Sequence, residues 1–264
     1  MGIKTTIRWC DSTFSPWVGC QAVSPGCDHC YAETLAKRYG PSFGVWGPNT
    51  ERRRTSHEAW LGVKRWNRIA GERGRPATIF PSLCDPFDNA VPTQLRDAFW
   101  RLIRDTPNLI WMLLTKRPQN FGQLPEDWGD GWPNVWLGVS VENQLEASRR
   151  IPILARTPAA LRFISAEPLL ERVALDLRRI SWVIVGGESG PHSRPMRPEW
   201  ARHILAQCAR EKVKGFHKQT GSRRNGDWPP GITGKGDNPA EWPAEFQVQQ
   251  HPLDDLRLPA MAAS

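Results

Sequence analysis

Short apolar runs recur along the chain from residue 77 onward. They occupy residues 77–80, 109–114, 135–139, 161–164 and 182–185, and a weaker run lies at 213–217. Each run is four to six residues long and mostly apolar throughout, instead of alternating between apolar and polar positions. This pattern is typical of strands that are buried on both faces of a parallel sheet. The chain is therefore predicted to contain a parallel β-sheet.

Amphipathic segments lie between several of these runs and are predicted to be helices. They cover residues 93–104, 143–155 and 198–211, and a further helix is expected at 32–39. A strand followed by a helix, repeated five times along the chain, indicates βα units and an α/β fold class. Such units build an open doubly wound sheet or a full or partial barrel, and the periodicity is compatible with both.

Polar or ionisable residues, or glycines, follow each predicted strand. Because the carboxyl ends of parallel strands meet at one edge, where binding sites lie, these residues are expected to form a common site. Capping of the following helices would explain one or two of them equally well. The candidates are Ser82, Cys84, Asp85, Thr115, Lys116, Ser140, Glu142, Asn143, Ser165, Glu167, Gly186, Gly187, Glu188 and Lys218.

Four of the six cysteines lie within the first thirty residues, which indicates a metal site and not a disulfide framework. Cys20, Cys27 and Cys30 follow the spacing C-x6-C-x2-C and offer three thiolates. A structural zinc site needs four protein ligands. A cubane iron–sulfur cluster held by three cysteines keeps one iron free for a substrate or cofactor. The spacing leaves both metals open, and the candidates for a fourth zinc ligand are Cys10, His29 and Cys84.

The cysteine loop is followed by an aromatic residue, Tyr31, and a predicted helix, and the βα units follow downstream. Further motifs lie in order at residues 24–33, 82–87, 114–118, 134–144, 165–170 and 182–190. On these features the chain resembles the radical S-adenosylmethionine (SAM) superfamily, and within it the spore photoproduct lyase branch. The nearer resemblance is to a family of phage- and prophage-borne proteins of largely unassigned function.

The resemblance implies a partial (β/α)6-type radical-SAM barrel over residues 1–219. A loop-rich C-terminal extension follows over residues 220–264, and from residue 247 it is expected to fray. The resemblance also implies a [4Fe–4S] cluster held by Cys20, Cys27 and Cys30, with SAM as the second cofactor. An electron from a flavodoxin- or ferredoxin-type donor would cleave SAM to a 5′-deoxyadenosyl radical. The first cysteine gap has six residues instead of the superfamily's usual three, but a longer loop adds little entropy to its closure.

Roles at the predicted site follow from the same resemblance. The catalytic residues are expected to be Cys84, as a hydrogen-atom donor, together with Lys116 and Glu142. Gly186, Gly187 and Glu188 are similar to the superfamily's glycine–glycine–glutamate motif, although they follow a later strand than that motif usually does. The residues expected to bind the cofactor are Tyr31, Ser82, Asp85, Thr115, Ser140, Glu142, Asn143, Ser165, Glu167, Gly186, Gly187 and Glu188.

The composition favours an anionic partner. The chain has 35 Lys plus Arg against 27 Asp plus Glu, a net charge of +8, and most of the cations are arginines. Arginine binds phosphate through two N–H groups and stacks on bases, so DNA or a nucleotide is the expected partner, although genome composition also enriches arginine. The run at 52–54, expected at the start of a helix, is the candidate phosphate contact. Base stacking and core packing both remain open for the tryptophans around the cysteine loop. These are Trp9, Trp17, Trp46, Trp60 and Trp66.

Two classes of function follow from these patterns. The expected function is a radical-SAM enzyme that hypermodifies a nucleobase of phage DNA or a nucleotide, with DNA repair of the spore photoproduct lyase kind as a variant. The alternative is a non-catalytic iron–sulfur or zinc protein that binds nucleic acid. No apolar run approaches roughly 18 residues, so no membrane association is expected. The N-terminal residues show no apolar stretch of a signal peptide, and cytoplasmic localisation is expected.

Overall fold

The structure is a computed structural model that describes residues 5–255. Its strands are β1 (Ser12–Thr13), β2 (Trp17–Val18), β3 (Arg53–Arg54), β4 (Ala77–Phe80), β5 (Leu109–Thr115), β6 (Val135–Ser140), β7 (Leu161–Ala166), β8 (Trp182–Gly186) and β9 (Lys214–Gln219). Its helices are α1 (Tyr31–Tyr39), α2 (His57–Glu72), α3 (Thr93–Arg104), α4 (Gln144–Arg156) and α5 (Pro198–Arg210). Within residues 5–255, no helix is both long enough and apolar enough to cross a membrane.

Seven of these strands form one parallel sheet in the order β1-β4-β5-β6-β7-β8-β9. From β4 onward each strand lies beside the one before it in the chain, which is the order of a barrel and not of a doubly wound sheet. The sheet curls into a half barrel. The predicted α/β class is confirmed, and so are the six predicted strands. β1 was not predicted because its two residues form no apolar run.

The predicted fivefold repeat of a strand followed by a helix is wrong at two connections. Between β5 and β6 the chain forms 3-10 turns at Pro118–Gln123 and Glu126–Trp128. Proline cannot donate a helical hydrogen bond, and glycine is a weak helix former. Pro118, Pro125 and Gly122 therefore limit this connection to short turns.

The second exception is the irregular segment 167–181 between β7 and β8, which faces the sheet without being helical. Its buried apolar side chains are Leu169, Val173, Leu177 and Ile180. The side-chain amide of Gln144 satisfies the backbone of Ala174, accepting from its N–H at 2.8 Å and donating to its carbonyl at 3.1 Å. Gln207 in α5 accepts from the N–H of Leu175 at 2.8 Å. Tertiary hydrogen bonds therefore replace those that a helix would have made here.

The two faces of the sheet carry separate apolar clusters. The larger cluster lies between the sheet and the helices and includes Trp111, Leu137 and Val183. In the described residues, the second cluster contains no side chain from α1 to α5, so it lies on the concave face. Its members are Trp9, Met112, Trp136, Phe163, Trp182, Ile184, Phe216 and Leu253. Gly138 makes room for them, because a Cβ there would lie 2.4 Å from the ring of Phe163.

The C-terminal extension packs onto the half barrel. Its residues 248–250 run antiparallel to β9: the N–H of His217 donates to the carbonyl of Val248 at 2.7 Å, and that of Gln250 to Gly215 at 3.0 Å. The expected fraying from residue 247 is therefore wrong as far as residue 255. An unpaired edge strand exposes its hydrogen-bonding groups, and this segment supplies partners for β9. Residues 256–264 lie outside the described part of the chain.

Candidate active site at the carboxyl edge of the half barrel

A cavity of about 350 Å³ lies at the edge of the sheet where the parallel strands end. The cysteine loop, residues 20–30, and the ends of several strands line it together. The predicted residues among its lining are Cys20, Cys27, Cys30, Tyr31, Ser82, Cys84, Asp85, Thr115, Lys116, Ser140, Ser165, Glu167, Glu188 and Lys218. Strand ends that are distant in sequence are thus brought together with the three cysteines.

The cysteine loop is an irregular segment with a defined local structure at each cysteine. Cys20 forms an isolated β-bridge with Trp46. The second cysteine ends the 3-10 turn Pro25–Cys27. Cys30 is the residue that precedes α1, and the hydroxyl of Thr34 donates to its carbonyl at 3.0 Å. The turn and the helix start therefore fix the backbone at the second and third cysteines.

An arginine–carboxylate pair holds the loop near Cys20. The Nη1 of Arg117, which follows β5, donates to Oδ2 of Asp85 at 2.8 Å. Its Nη2 donates to the carbonyl of Gln21 at 2.7 Å, and both terminal nitrogens lie 3.7 Å from the Sγ of Cys20. Asp85 also accepts from the hydroxyl of Thr115 at 2.6 Å. The ends of β4 and β5 are thereby joined to the first cysteine.

A second pair holds the loop beside Cys27. Glu142, which is fully buried, accepts from the N–H of Gly26 at 3.2 Å and pairs with Arg150 at 2.9 Å. A Cβ at position 26 would lie 2.9 Å from the carboxyl carbon of Glu142, so any other residue there would displace this carboxylate. In the described part of the chain, Glu142 is absent from the cavity lining. Its contacts favour anchoring of the loop over the catalytic and cofactor-binding roles predicted for it.

A third pair holds the loop between Cys27 and Cys30. Arg194 pairs with Glu188 at 2.6 Å and with Asp28 at 3.1 Å. The Nδ1 of His29 lies 2.9 Å from the same Glu188 carboxylate. Burial raises the pKa of Glu188, but hydrogen bonds from Arg194 and His29 outweigh it and leave the pKa below its usual value. Glu188 is therefore an anion at neutral pH and attracts the loop.

Three other predicted residues have structural contacts outside the cavity. Asn143 precedes α4 and accepts from the N–H of Glu146 at 2.9 Å, as the capping alternative predicts. A Cβ at Gly187 would lie 2.3 Å from the carbonyl oxygen of Thr220. A Cβ at Gly186 would lie 3.2 Å from the Glu167 carboxylate. The two glycines therefore allow close packing behind the cavity wall.

Burial disfavours the thiolate form of the cavity cysteines. It raises the pKa of Cys20 to about 12, although the positive charge of Arg117 opposes the shift. It also raises the pKa of Cys30, against the opposing charge of Lys116, and that of Cys84. An anionic sulfur at this site therefore needs positive charge beside it. Within residues 5–255, no group of three or more His, Cys, Asp or Glu side chains is arranged to hold a metal ion.

The candidates for a fourth metal ligand differ in their surroundings. Cys84 lines the cavity with the three loop cysteines. His29 also lines it, but its Nδ1 is engaged with Glu188. Cys10 is not among the lining residues that the structure describes, and its Sγ donates to the carbonyl of Ile7 at 3.9 Å.

The rest of the cavity wall combines apolar side chains, such as Trp9, Phe80 and Leu114, with several polar groups. Lys218 in β9 pairs with Glu167, which directly follows β7, at 2.5 Å. Ser140 and Ser165 are paired residues of β6 and β7, and both line the cavity. Lys116 lines it from the end of β5. These groups are suited to carboxylate, phosphate and hydroxyl groups of a ligand.

The cofactor-binding candidates Tyr31 and Ser82 contact each other beside the cysteine loop. The Tyr31 hydroxyl donates to the carbonyl of Ser82. This bond joins the first residue of α1 to the segment that follows β4. It therefore links the third cysteine to the sheet.

A comparison with known protein families identifies the family of this chain. A family model described as "Protein of unknown function (DUF5131)" matches residues 4–249. The chain belongs to the DUF5131 family. The match includes the cysteine loop and all seven strands of the half barrel. No curated protein and no solved structure matches the chain.

Sequence patterns did not identify the arginines of this DUF5131 site. Arg150 and Arg194 stand eight and six residues after the carboxylates with which they pair. Arg117 directly follows Lys116, which the pattern did identify. These short separations are the available signal, but the sequence does not show which arginines are buried. Lys235, which lines the cavity from the C-terminal extension, was also not predicted.

The arginine run of this DUF5131 protein is only partly the exposed patch that was predicted. Residues 53 and 54 form β3, which pairs with β2, and α2 begins only at His57. Arg52 is 1% exposed, and its Nε pairs with Asp88 at 2.7 Å. Arg53 and Arg54 are exposed. The predicted helix start is therefore wrong and Arg52 is inaccessible, whereas phosphate contact by Arg53 and Arg54 stays a prediction.

The five tryptophans near the cysteine loop also differ from one another. Trp9, Trp17 and Trp60 are buried, and core packing is correct for Trp17 and Trp60. Trp9 packs in the second apolar cluster and also lines the cavity. Trp66 packs partly buried against the larger apolar cluster. Trp46 also lines the cavity, so Trp9 and Trp46 are the two of the five that can contact a ligand there.

Proposed function

We propose that this DUF5131 protein is a radical-SAM enzyme that modifies a nucleobase of DNA or a nucleotide. One observation carries the proposal: Cys20, Cys27 and Cys30 line the same cavity as the polar ends of the parallel strands. In parallel α/β proteins, ligands bind at this edge. A cysteine loop at the same place suits a reaction in which a metal centre and a bound ligand act on each other.

The donor set supports an iron–sulfur cluster. The three thiols are free of disulfides, and sulfur is the ligand that such clusters use. Cys20, Cys27 and Cys30 would hold the cluster, with one iron left without a protein ligand. When reduced and bound to SAM, it would supply one electron that breaks the C5′–S bond, giving methionine and a 5′-deoxyadenosyl radical.

The charges of the cavity support binding roles for its lining residues. Lys116 suits a carboxylate or a phosphate, because its ammonium group donates three hydrogen bonds. The Lys218–Glu167 pair presents both signs of charge, which suits the zwitterionic amino acid part of SAM. The hydroxyls of Ser140 and Ser165 suit those of a ribose.

Cys84 has a role of its own in this proposal. Its thiol lines the cavity and would donate a hydrogen atom to a substrate radical. The thiyl radical left on sulfur would take an electron from a flavodoxin- or ferredoxin-type donor and a proton from water. The same donor would supply the electron for SAM cleavage.

The wider properties of the chain agree with the proposal. The half barrel would be of the radical-SAM (β/α)6 type, because the cysteine loop follows β1 and six parallel strands follow the loop in order. The net charge of +8 favours a phosphate-bearing substrate. A reducing cytoplasm would keep the three thiols free to bind iron.

Anaerobic reconstitution tests the proposal. The protein is purified without oxygen, loaded with iron and sulfide, and incubated with SAM and dithionite. We expect about four irons and four sulfides per chain, as in a cubane cluster, and release of 5′-deoxyadenosine. Nucleoside monophosphates and single-stranded oligonucleotides are then added, and a mass change in one of them identifies the substrate class.

Two cysteine variants serve as a matched pair. Cys27→Ala should lose iron and SAM cleavage, whereas Cys208→Ala, a change in a buried thiol of α5, should keep both. One bound zinc and no iron would contradict the cluster. A stable cluster without 5′-deoxyadenosine would contradict SAM cleavage and favour a non-catalytic protein that binds nucleic acid.

A further inference from the structure

The guanidinium of Arg117 is fixed in one orientation. It is 2% exposed, with Nη1 bound to Asp85 at 2.8 Å and Nη2 bound to the Gln21 carbonyl at 2.7 Å. Asp85 cannot move away either, because it accepts from the Thr115 hydroxyl at 2.6 Å and from the Lys116 N–H at 3.1 Å. The side chain therefore joins the end of β5 rigidly to the cysteine loop.

The orientation of Arg117 is unusual for an arginine that serves only an ion pair. Such an arginine typically offers two parallel N–H groups to the two carboxylate oxygens. Here only Nη1 binds Asp85, and in the described part of the chain the buried Nε has no partner. Both terminal nitrogens instead lie 3.7 Å from the Sγ of Cys20. The Arg117 guanidinium is therefore oriented toward the Sγ of Cys20 and not toward a two-bond pair with the Asp85 carboxylate.

Cys20 is also the cysteine that most needs a tertiary contact. The turn Pro25–Cys27 and the start of α1 fix the other two cysteines locally. Six residues separate Cys20 from Cys27, so the local spacing determines its position least. Arg117 holds the backbone next to it, at Gln21, and its sulfur at the same time.

We infer that Arg117 is a positioning residue for the cluster, which holds Cys20 in place and raises the cluster's reduction potential through its N–H groups on Sγ. The inference rests on the proposed function, since it concerns a cluster bound by Cys20. A reduced cluster carries one more negative charge than an oxidised one. Hydrogen bonds and positive charge at a ligand sulfur therefore stabilise the reduced form.

The reduction potential of the reconstituted protein tests this inference. We expect Arg117→Met to lower it by at least the equivalent of a tenfold change in the reduced-to-oxidised ratio, about 59 mV for a one-electron couple. Redox titration followed by electron paramagnetic resonance measures the shift. Arg101→Met, which removes the same charge from α3, should leave the potential unchanged. An unchanged potential in Arg117→Met would overturn the inference.

A double variant separates the contact from the net charge and protects the fold. Arg117→Met alone leaves Asp85 as a buried unpaired anion, whereas Arg117→Met with Asp85→Asn removes both charges. We expect the potential of the double variant to stay low, because the N–H groups on Sγ are still missing. A return to the native potential would mean that net charge, and not the contact, sets it.

A measurement on the protein without iron keeps this inference distinct from the proposed function. Urea unfolding of the native protein, Arg117→Met, Cys20→Ala and the protein that carries both of these changes forms a double-mutant cycle. If the two side chains acted independently, the effects of the two changes on the unfolding equilibrium constant would multiply. We expect the constant of the doubly substituted protein to differ from that product by about threefold or more. Independent effects would overturn the contact. If the native protein binds no iron, the proposed function fails, and the cycle still decides whether Arg117 positions Cys20.

Discussion

Two irregular segments of this protein are attached to the half barrel by different forces. Three arginine–carboxylate pairs, largely buried, hold the cysteine loop. The C-terminal extension, residues 220–255, is held mainly by apolar side chains. Trp228, Trp242 and Phe246 are buried in it and surround His217 of β9.

The difference follows from whether the segment borders the cavity. Apolar side chains that pack as densely as a protein interior exclude solvent from the surface they cover, which suits an extension that shields an edge strand. The cysteine loop borders a cavity and cannot be covered in this way. Ion pairs fix it from behind and leave the thiols facing the cavity, although loss of one buried partner is costly. Changes in the two segments should therefore differ in what they do to metal binding.

The largest expected loss of stability comes from the extension. Phe246→Ala removes a side chain that is 1% exposed, and the cavity left should lower the free energy of unfolding by about 3–5 kcal/mol. Urea unfolding followed by tryptophan fluorescence measures the loss. The iron bound per folded chain should not change, because the loop pairs are untouched. Loss of iron in the folded variant would mean that the two segments are not independent.

Acid should weaken the extension through His217. Because a carbonyl can only accept, the Nδ1 of His217 must donate to the carbonyl of Phe246, at 3.2 Å, and its Nε2 is buried without a partner in the described part of the chain. Burial lowers the pKa of His217 to about 4. The unfolded chain therefore binds this proton near pH 6.5 and the native chain does not.

Stability should consequently fall as the pH drops from about 6.5 to about 4, by about 3 kcal/mol in total. Urea unfolding at a series of pH values measures the slope. His217→Gln should remove most of this pH dependence, whereas His251→Gln should remove less, because His251 is only partly buried. An unchanged slope in His217→Gln would contradict the assignment.

A smaller loss with a different signature is expected in the cysteine loop. Glu142→Gln removes the charge behind Gly26, but Arg150 keeps its pair with Glu146 at 2.8 Å. A charge-assisted hydrogen bond contributes about 2 kcal/mol, and the loss should be of that size. Unlike Phe246→Ala, this variant should also retain less iron after gel filtration. Full retention would mean that the pair is not needed to hold the loop.

The sequence predicted the sheet better than the connections. The six strands from β4 to β9 were visible because burial on both faces makes them apolar throughout. Helix α3 begins and ends where its pattern predicts, at Thr93–Arg104. The segment 167–181 was not predictable, because its backbone bonds to Gln144 and Gln207, which lie far away in sequence.

In the candidate site, too, some residues were predictable from the sequence and others were not. The cysteines and the strand-end carboxylates were identified because their residue types carry recognisable chemistry. The arginines that anchor them were not, since a buried Arg150 and an exposed Arg149 are adjacent in the sequence and differ only in what the fold brings near them. Arg52 shows the reverse error, a buried side chain interpreted as part of an exposed patch.

The smallest effect is expected at an ion pair of the extension that has the same chemistry as those of the loop. Arg202 in α5 pairs with Glu245 at 2.6 Å, yet the two side chains are 51% and 48% exposed. Water and salt screen such a pair, so Glu245→Gln should lower the free energy of unfolding by less than about 1 kcal/mol, and less again in high salt. Glu142→Gln makes the same chemical change in a pair that is 4% and 0% exposed, and is expected to cost more. Urea unfolding of both variants, at low and high salt, compares them directly. Equal losses would mean that burial does not explain why ion pairs suffice to hold the cysteine loop.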